Sequence, residues 1–100
     1  MDKNEIHEGG CSCGAVRYQT TGKPERVGVC HCRYCQTRTG SAFGVSVYFK
    51  DVNVQKTSGD LNKYEFKTES GRSFVQEFCP TCATTLLWTI EVFDGMTGVA

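Results

Sequence analysis

Seven of the hundred residues are cysteine, and they stand in three tight groups: Cys11-Ser12-Cys13, Cys30-His31-Cys32-Arg33-Tyr34-Cys35 and Cys79-Pro80-Thr81-Cys82. Thiols one or two residues apart, repeated at distant points, are what a tetrahedral thiolate–zinc site needs. A short loop offers two sulfurs from one side of the ion, and a second loop must bring the other two. One complete four-cysteine site leaves three thiols within six residues. Three ligands suit a metal that keeps an open coordination position.

Disulfides fit this pattern poorly. An odd count leaves one thiol unpaired, and the polar opening Met1-Asp2-Lys3-Asn4-Glu5-Ile6-His7-Glu8 lacks the basic start and apolar stretch of a secretory signal. No stretch approaches the apolar length required to cross a membrane. The expected location is the cytoplasm, where thiols stay reduced and clustered cysteines more often hold metal. A chain of one hundred residues is expected to form one domain over residues 1–100. It buries about two-thirds of its unfolded surface, so a metal tying distant segments together would contribute strongly to folding.

A formal net charge of zero argues against nucleic acid as a partner. The balance is uneven, however. Arg17, Lys23, Arg26, Arg33 and Arg38 face only Glu25 in the same stretch. This basic run brackets the three-cysteine group and favours a small anionic ligand there, with a solvated charged surface as the plainer alternative.

Period-two alternation dominates the rest, and helical periodicity is nearly absent. The expected fold is all-β and antiparallel, with about seven short strands. They are placed at Ala15 to Thr20, Val27 to Cys30, Ala42 to Phe49, Val52 to Lys56, Leu61 to Lys67, Ser73 to Phe78 and Leu86 to Ile90. In Ala42 to Phe49 the residues Phe43, Val45, Val47 and Phe49 share one face. Turn chemistry falls at Gly9-Gly10, Thr21-Gly22-Lys23-Pro24, Ser58-Gly59-Asp60 and Ser70-Gly71. One helical turn or two is expected around Tyr34 to Thr39, closed by Gly40. Joining the first cysteine pair to the last would clamp the start of the fold to its end, closing a loop of nearly seventy residues. In thiolate loops the residue after the second cysteine is often glycine. Gly14 fits, whereas Ala83 follows Cys82.

Taken in order, these stretches resemble the glutathione-dependent formaldehyde-activating enzyme family, which also includes centromere protein V. The resemblance is carried by Gly9 to Tyr18, Cys30 to Cys35, Thr39-Gly40-Ser41-Ala42-Phe43, Gly59 to Tyr64 and Phe78 to Cys82. It implies a small zinc-bound β-tent with two Zn²⁺ per chain. By the family pattern, Cys11, Cys13, Cys79 and Cys82 hold a structural zinc, and Cys30, Cys32 and Cys35 hold a second, catalytic one. The implied activity is that of a carbon–sulfur lyase, joining or cleaving an adduct of a glutathione-like thiol and an aldehyde such as formaldehyde. The family typically continues past this endpoint, so the resemblance also implies a chain lacking that C-terminal extension.

The residues themselves add constraints. Three thiolates on Zn²⁺ carry net negative charge and favour a soft sulfur as fourth ligand. An incoming thiol would be deprotonated there and placed as a nucleophile. Arg33 and Arg38 are the candidates for holding the carboxylates of an anionic substrate. His31 points away from a metal held by its neighbours Cys30 and Cys32, since adjacent residues in extended chain face opposite sides. It reads as a packing residue, and His7 as a possible fourth ligand. Tyr48 and Trp88 read as core or pocket-wall aromatics. The alternative function is a non-catalytic, zinc-stapled interaction module.

Overall fold

The computed structural model describes residues 5–100. Its elements run β1 Ile6–Gly10, β2 Arg17–Thr21, β3 Arg26–Cys30, α1 Arg33–Thr39, β4 Gly44–Lys50, β5 Val54–Ser58, β6 Asn62–Lys67, β7 Ser73–Phe78, β8 Thr85–Ile90 and β9 Met96–Val99. A three-stranded sheet has the order β1-β2-β5, and a six-stranded sheet the order β3-β4-β9-β8-β7-β6. Every pairing is antiparallel. The all-β expectation holds, with two more strands than the pattern suggested.

Both extra strands are hidden by glycine. Gly9-Gly10 reads as a turn, yet both residues lie in β1, paired with Tyr18 and Arg17. A β-carbon on Gly9 would stand 2.5 Å from Tyr18 Cζ, and one on Gly10 would run into the Arg17 side chain. Glycine is there because the strands approach closely, not because the chain bends. Likewise Gly98 in β9 pairs with Trp88, and its missing side chain is what admits the indole. The strand expected from Val52 instead begins at Val54, because Asp51–Asn53 forms a 3₁₀ turn. The Asp51 amide donates to the Gly95 carbonyl (3.0 Å), and its carboxylate accepts from the Thr97 hydroxyl (2.7 Å).

The core joins Val16, Tyr18, Phe49, Leu86, Leu87 and Val99 with Cys11 and Cys79. Each large side chain buried there contributes about 1.5–3 kcal/mol. β8 is buried on both faces through Leu86, Leu87 and Trp88. β4 departs from the simple reading of its apolar face. Phe43 and Val45 are exposed, whereas Gly44, Ser46 and Tyr48 on the opposite side are buried. The small and polar face is covered because α1 packs on it, and Gly44 permits this: a β-carbon there would meet Arg38 Nη2 at 2.6 Å and Cys35 Cβ at 3.2 Å.

α1 buries no residue completely and is held by side chains that reach outward. Tyr34 lies against Phe66 and Phe74, with ring centroids 5.4 and 6.5 Å apart, and Arg38 lies over Trp88 at 4.1 Å. Gly40 closes the helix in the left-handed region (φ 70°), its amide donating to the Gln36 carbonyl. No helix among the described residues is long and apolar enough to cross a membrane.

Candidate metal centres

The seven thiols gather into two sets, Cys11/Cys13/Cys79/Cys82 and Cys30/Cys32/Cys35, and within each set all sulfurs lie within 4.8 Å of one another. Tetrahedral Zn–S bonds of ~2.3 Å require sulfurs about 3.8 Å apart. Cys11 and Cys13 are 3.6 Å apart, and Cys13 and Cys79 3.7 Å. Both sets could hold a metal ion, and their all-sulfur composition is consistent with zinc. Among the described residues no histidine or carboxylate joins either set. His31 packs beside Phe43 (centroids 5.6 Å apart), and His7 bonds Glu5 at 2.7 Å on exposed β1.

The four-cysteine set is made by two loops with the same internal bonding. In the first, the Cys11 amide donates to the Val16 carbonyl and the Gly14 amide to the Cys11 carbonyl. In the second, the Cys79 amide donates to the Thr84 carbonyl and the Ala83 amide to the Cys79 carbonyl. The residue after the second cysteine turns left-handed in both, Gly14 at φ 80° and Ala83 at φ 64°. Amides then reach sulfur: Val16 N–H to Cys11 Sγ (3.3 Å) and Thr81 N–H to Cys79 Sγ (3.4 Å). Ser12 N–H and Cys82 Sγ both meet the Thr84 hydroxyl at 3.2 Å, tying the loops together.

The three-cysteine set sits where β3 passes into α1. Cys30 ends β3, Cys32 occupies the extended position before the helix, and Cys35 lies one turn in. The Gln36 side chain donates to the carbonyls of His31 (3.1 Å) and Ala42 (3.3 Å), fixing the two chain segments that flank the helix.

Within each set the thiols divide the proton load. The Thr84 hydroxyl and amide draw Cys82 down to about 5. The Val16 amide lowers Cys11. Cys13 accepts the Ala15 amide, which lowers it, but Cys11 and burial outweigh this and raise it to about 11. In the other set, burial and then the neighbouring Cys30 and Cys32 push Cys35 up to about 12. Burial opposes ionisation of Cys32, yet the Cys35 amide and the adjacent thiols prevail and lower it. The four-cysteine set thus offers a ready thiolate in Cys82, and each set holds a thiol, Cys13 or Cys35, that keeps its proton until a metal displaces it.

Among the described residues, the three-cysteine set lines a large cavity and the four-cysteine set lines none that compares with it. Cys30, Cys32 and Cys35 line a space of about 450 Å³ together with Tyr34, Tyr48, Phe74, Trp88 and Phe93. Arg26, Arg38 and Arg72 line it too, and no carboxylate does. Arg38 is half-buried, and its Nη2 is a buried donor without a hydrogen-bond partner. Arg33 points elsewhere, pairing with Glu69 at 2.6 Å on the surface and taking no part in the lining. The Trp88 indole N–H donates to the Tyr48 hydroxyl (3.0 Å), leaving that hydroxyl its own proton. Burial raises the Tyr48 pKa, so the phenol stays neutral. Among the lining residues, Arg26 was visible in the sequence only as part of the basic run, and Arg72 carried no signal.

The family model described as glutathione-dependent formaldehyde-activating enzyme matches residues 6–100. A crystal structure of a Rhodobacter sphaeroides protein is similar over 93% of this chain and 83% of that one, with a TM-score of 0.73 and 21% sequence identity. At that identity the likeness speaks for the fold.

Proposed function

This chain belongs to the glutathione-dependent formaldehyde-activating enzyme family, and from that premise we propose that it catalyses formation or cleavage of a thiol–aldehyde adduct. The thiol is glutathione or a close relative, the aldehyde is formaldehyde, and the reaction class is carbon–sulfur lyase. The single observation that carries this reading is the unequal placement of the thiol sets: one roots two of its cysteines, Cys11 and Cys79, in the core and lines no cavity with them, and the other opens onto the cavity.

The proposed load is two zinc ions per chain, one held by Cys11, Cys13, Cys79 and Cys82 and one by Cys30, Cys32 and Cys35. At the second site zinc would supply a soft Lewis acid that lets an incoming thiol ionise near neutral pH. The residues of the chain do the rest. Trp88, Phe74 and Tyr34 form an apolar wall that limits water around the sulfur. Arg38, held over Trp88 with an unshared donor, supplies positive charge for an anionic group of the substrate. Joining sulfur to the aldehyde carbon moves the carbonyl electron pair onto oxygen. The neutral Tyr48 phenol is a lining group able to give that oxygen a hydrogen bond.

Cobalt substitution tests the proposal. Glutathione added to the cobalt-loaded protein should change its visible absorption, through the second site alone. If glutathione leaves the spectrum unchanged while other small thiols alter it, glutathione is the wrong substrate. If no thiol has any effect, the zinc-stapled interaction module is the better reading.

A further inference from the structure

We infer that Arg26 forms an anion-binding subsite at the end of the cavity remote from the cysteines, and that the cavity thereby selects thiols of peptide length with a carboxylate far from sulfur. This rests on the thiol–aldehyde reading above and specifies its substrate. Period-two alternation puts Arg26, Gly28 and Cys30 on one side of β3, and all three line the cavity, as Val27 and Val29 between them also do. Their partners on β4 are Tyr48, Ser46 and Gly44. The middle of this floor is kept low: no atom lies within 4 Å of where a Gly28 β-carbon would stand, and Ser46 opposite is small. The result is a trough with thiols at one end and a guanidinium at the other.

Its length follows from the strand. Four residues at ~3.4 Å each separate Cys30 from Arg26, or about 13 Å. Extended peptide covers roughly 3.3–3.6 Å per residue, so two or three residues reach about 7–11 Å from the cysteines, and the long Arg26 side chain has to cover the remainder to meet a carboxylate. A two-carbon thiol cannot reach. Arg26 is prepared for this contact. Its guanidinium lies over the Phe93 ring, 4.4 Å from the centroid, which restrains the side chain. Among the described residues no carboxylate stands within ion-pair distance of it. Neighbouring Glu25 turns instead toward Lys50, at 3.9 Å. Arg72, from the turn between β6 and β7, adds positive charge to the same cavity.

The test compares glutathione with 2-mercaptoethanol on cobalt-loaded wild type, Arg26→Gln and Arg26→Lys, reading the dissociation constant from the absorption change. Arg26→Gln should weaken glutathione about tenfold, equivalent to ~1.4 kcal/mol, and leave 2-mercaptoethanol within twofold. Arg26→Lys should recover part of the loss. Equal weakening of both thiols would mean that Arg26 merely shapes the site, and unchanged glutathione binding would remove the subsite outright. Failure of every thiol to perturb the wild-type spectrum would instead overturn the thiol–aldehyde reading, and this inference with it.

Discussion

The two thiol sets offer the same atoms from opposite structural settings. Cys11 and Cys79 are 7% and 0% exposed and belong to the core itself, packed with Val16 and Leu86. Cys30, Cys32 and Cys35 lie outside that core, attached to a helix with no fully buried residue. The first set joins sulfurs 66 residues apart, whereas the second spans one strand end and one helical turn. Closing a long loop removes much chain entropy from the unfolded state, and closing a short one removes little. Sequence separation, with Cys11 and Cys79 set in the core, supports the proposed division into a staple and a binding site.

The largest test of this contrast is removal of one ligand from each set. Cys79→Ser should unfold the domain, because a structural zinc contributes free energy comparable with the about 5–15 kcal/mol that holds a small domain folded. Cys35→Ser should lose the second metal and the response to thiols while costing only about 1–3 kcal/mol, since α1 stays anchored by Tyr34 and Arg38. Circular-dichroism melts with zinc counted in each variant decide it. Equal destabilisation would make both sets staples and end the catalytic assignment.

What could be read from sequence divides along the same line. Ligand spacing and period-two alternation are local, so the cysteine groups, the antiparallel β class and the short helix ending at Gly40 were all legible. Gly9 and Gly10 misled because glycine signals both turns and close approach, and only the partner strand tells which. The cavity was not legible, because pairing of distant strands is what brings Arg26, Trp88 and Arg72 to one space. Arg33 and Arg38 show the limit within a single helix. Five residues at 3.6 per turn set them roughly 140° apart, so one meets Glu69 in solvent and the other the face of Trp88.

A smaller effect separates the sets by pH. A thiol must lose its proton to bind metal, so affinity rises with pH wherever a proton is displaced. Cys82, drawn down to about 5, is already a thiolate at neutral pH and begins to compete for protons only as pH falls toward that value. Cys35, pushed up to about 12, surrenders a proton on binding throughout the neutral range, as Cys13 at about 11 does in the other set, but the three-cysteine set has one ligand fewer to offset that cost. On acidification from pH 8 to pH 5 the three-cysteine set should release its zinc first, which a chromogenic chelator would follow. Release from the four-cysteine set first would contradict the division of the two sites.

The smallest effect lies inside the staple. Ala83 and Gly14 occupy equivalent places in the two loops, yet only glycine adopts the left-handed region without cost. An alanine held there costs about 1–2 kcal/mol, and replacing it by glycine returns ~0.4–1 kcal/mol of that through the freer unfolded chain. Ala83→Gly should therefore stabilise the protein by up to about 1 kcal/mol, a rise in Tm of roughly 4–8 °C at the upper end. Gly14→Ala should move stability the other way. A β-carbon at Gly14 would meet nothing within 4 Å, so the change isolates backbone strain from packing. Opposite signs for the two substitutions would establish that the loops share one geometry and that the second carries it under strain. A lower Tm for Ala83→Gly would mean that the exposed Ala83 side chain, and not its backbone, is what the second loop requires.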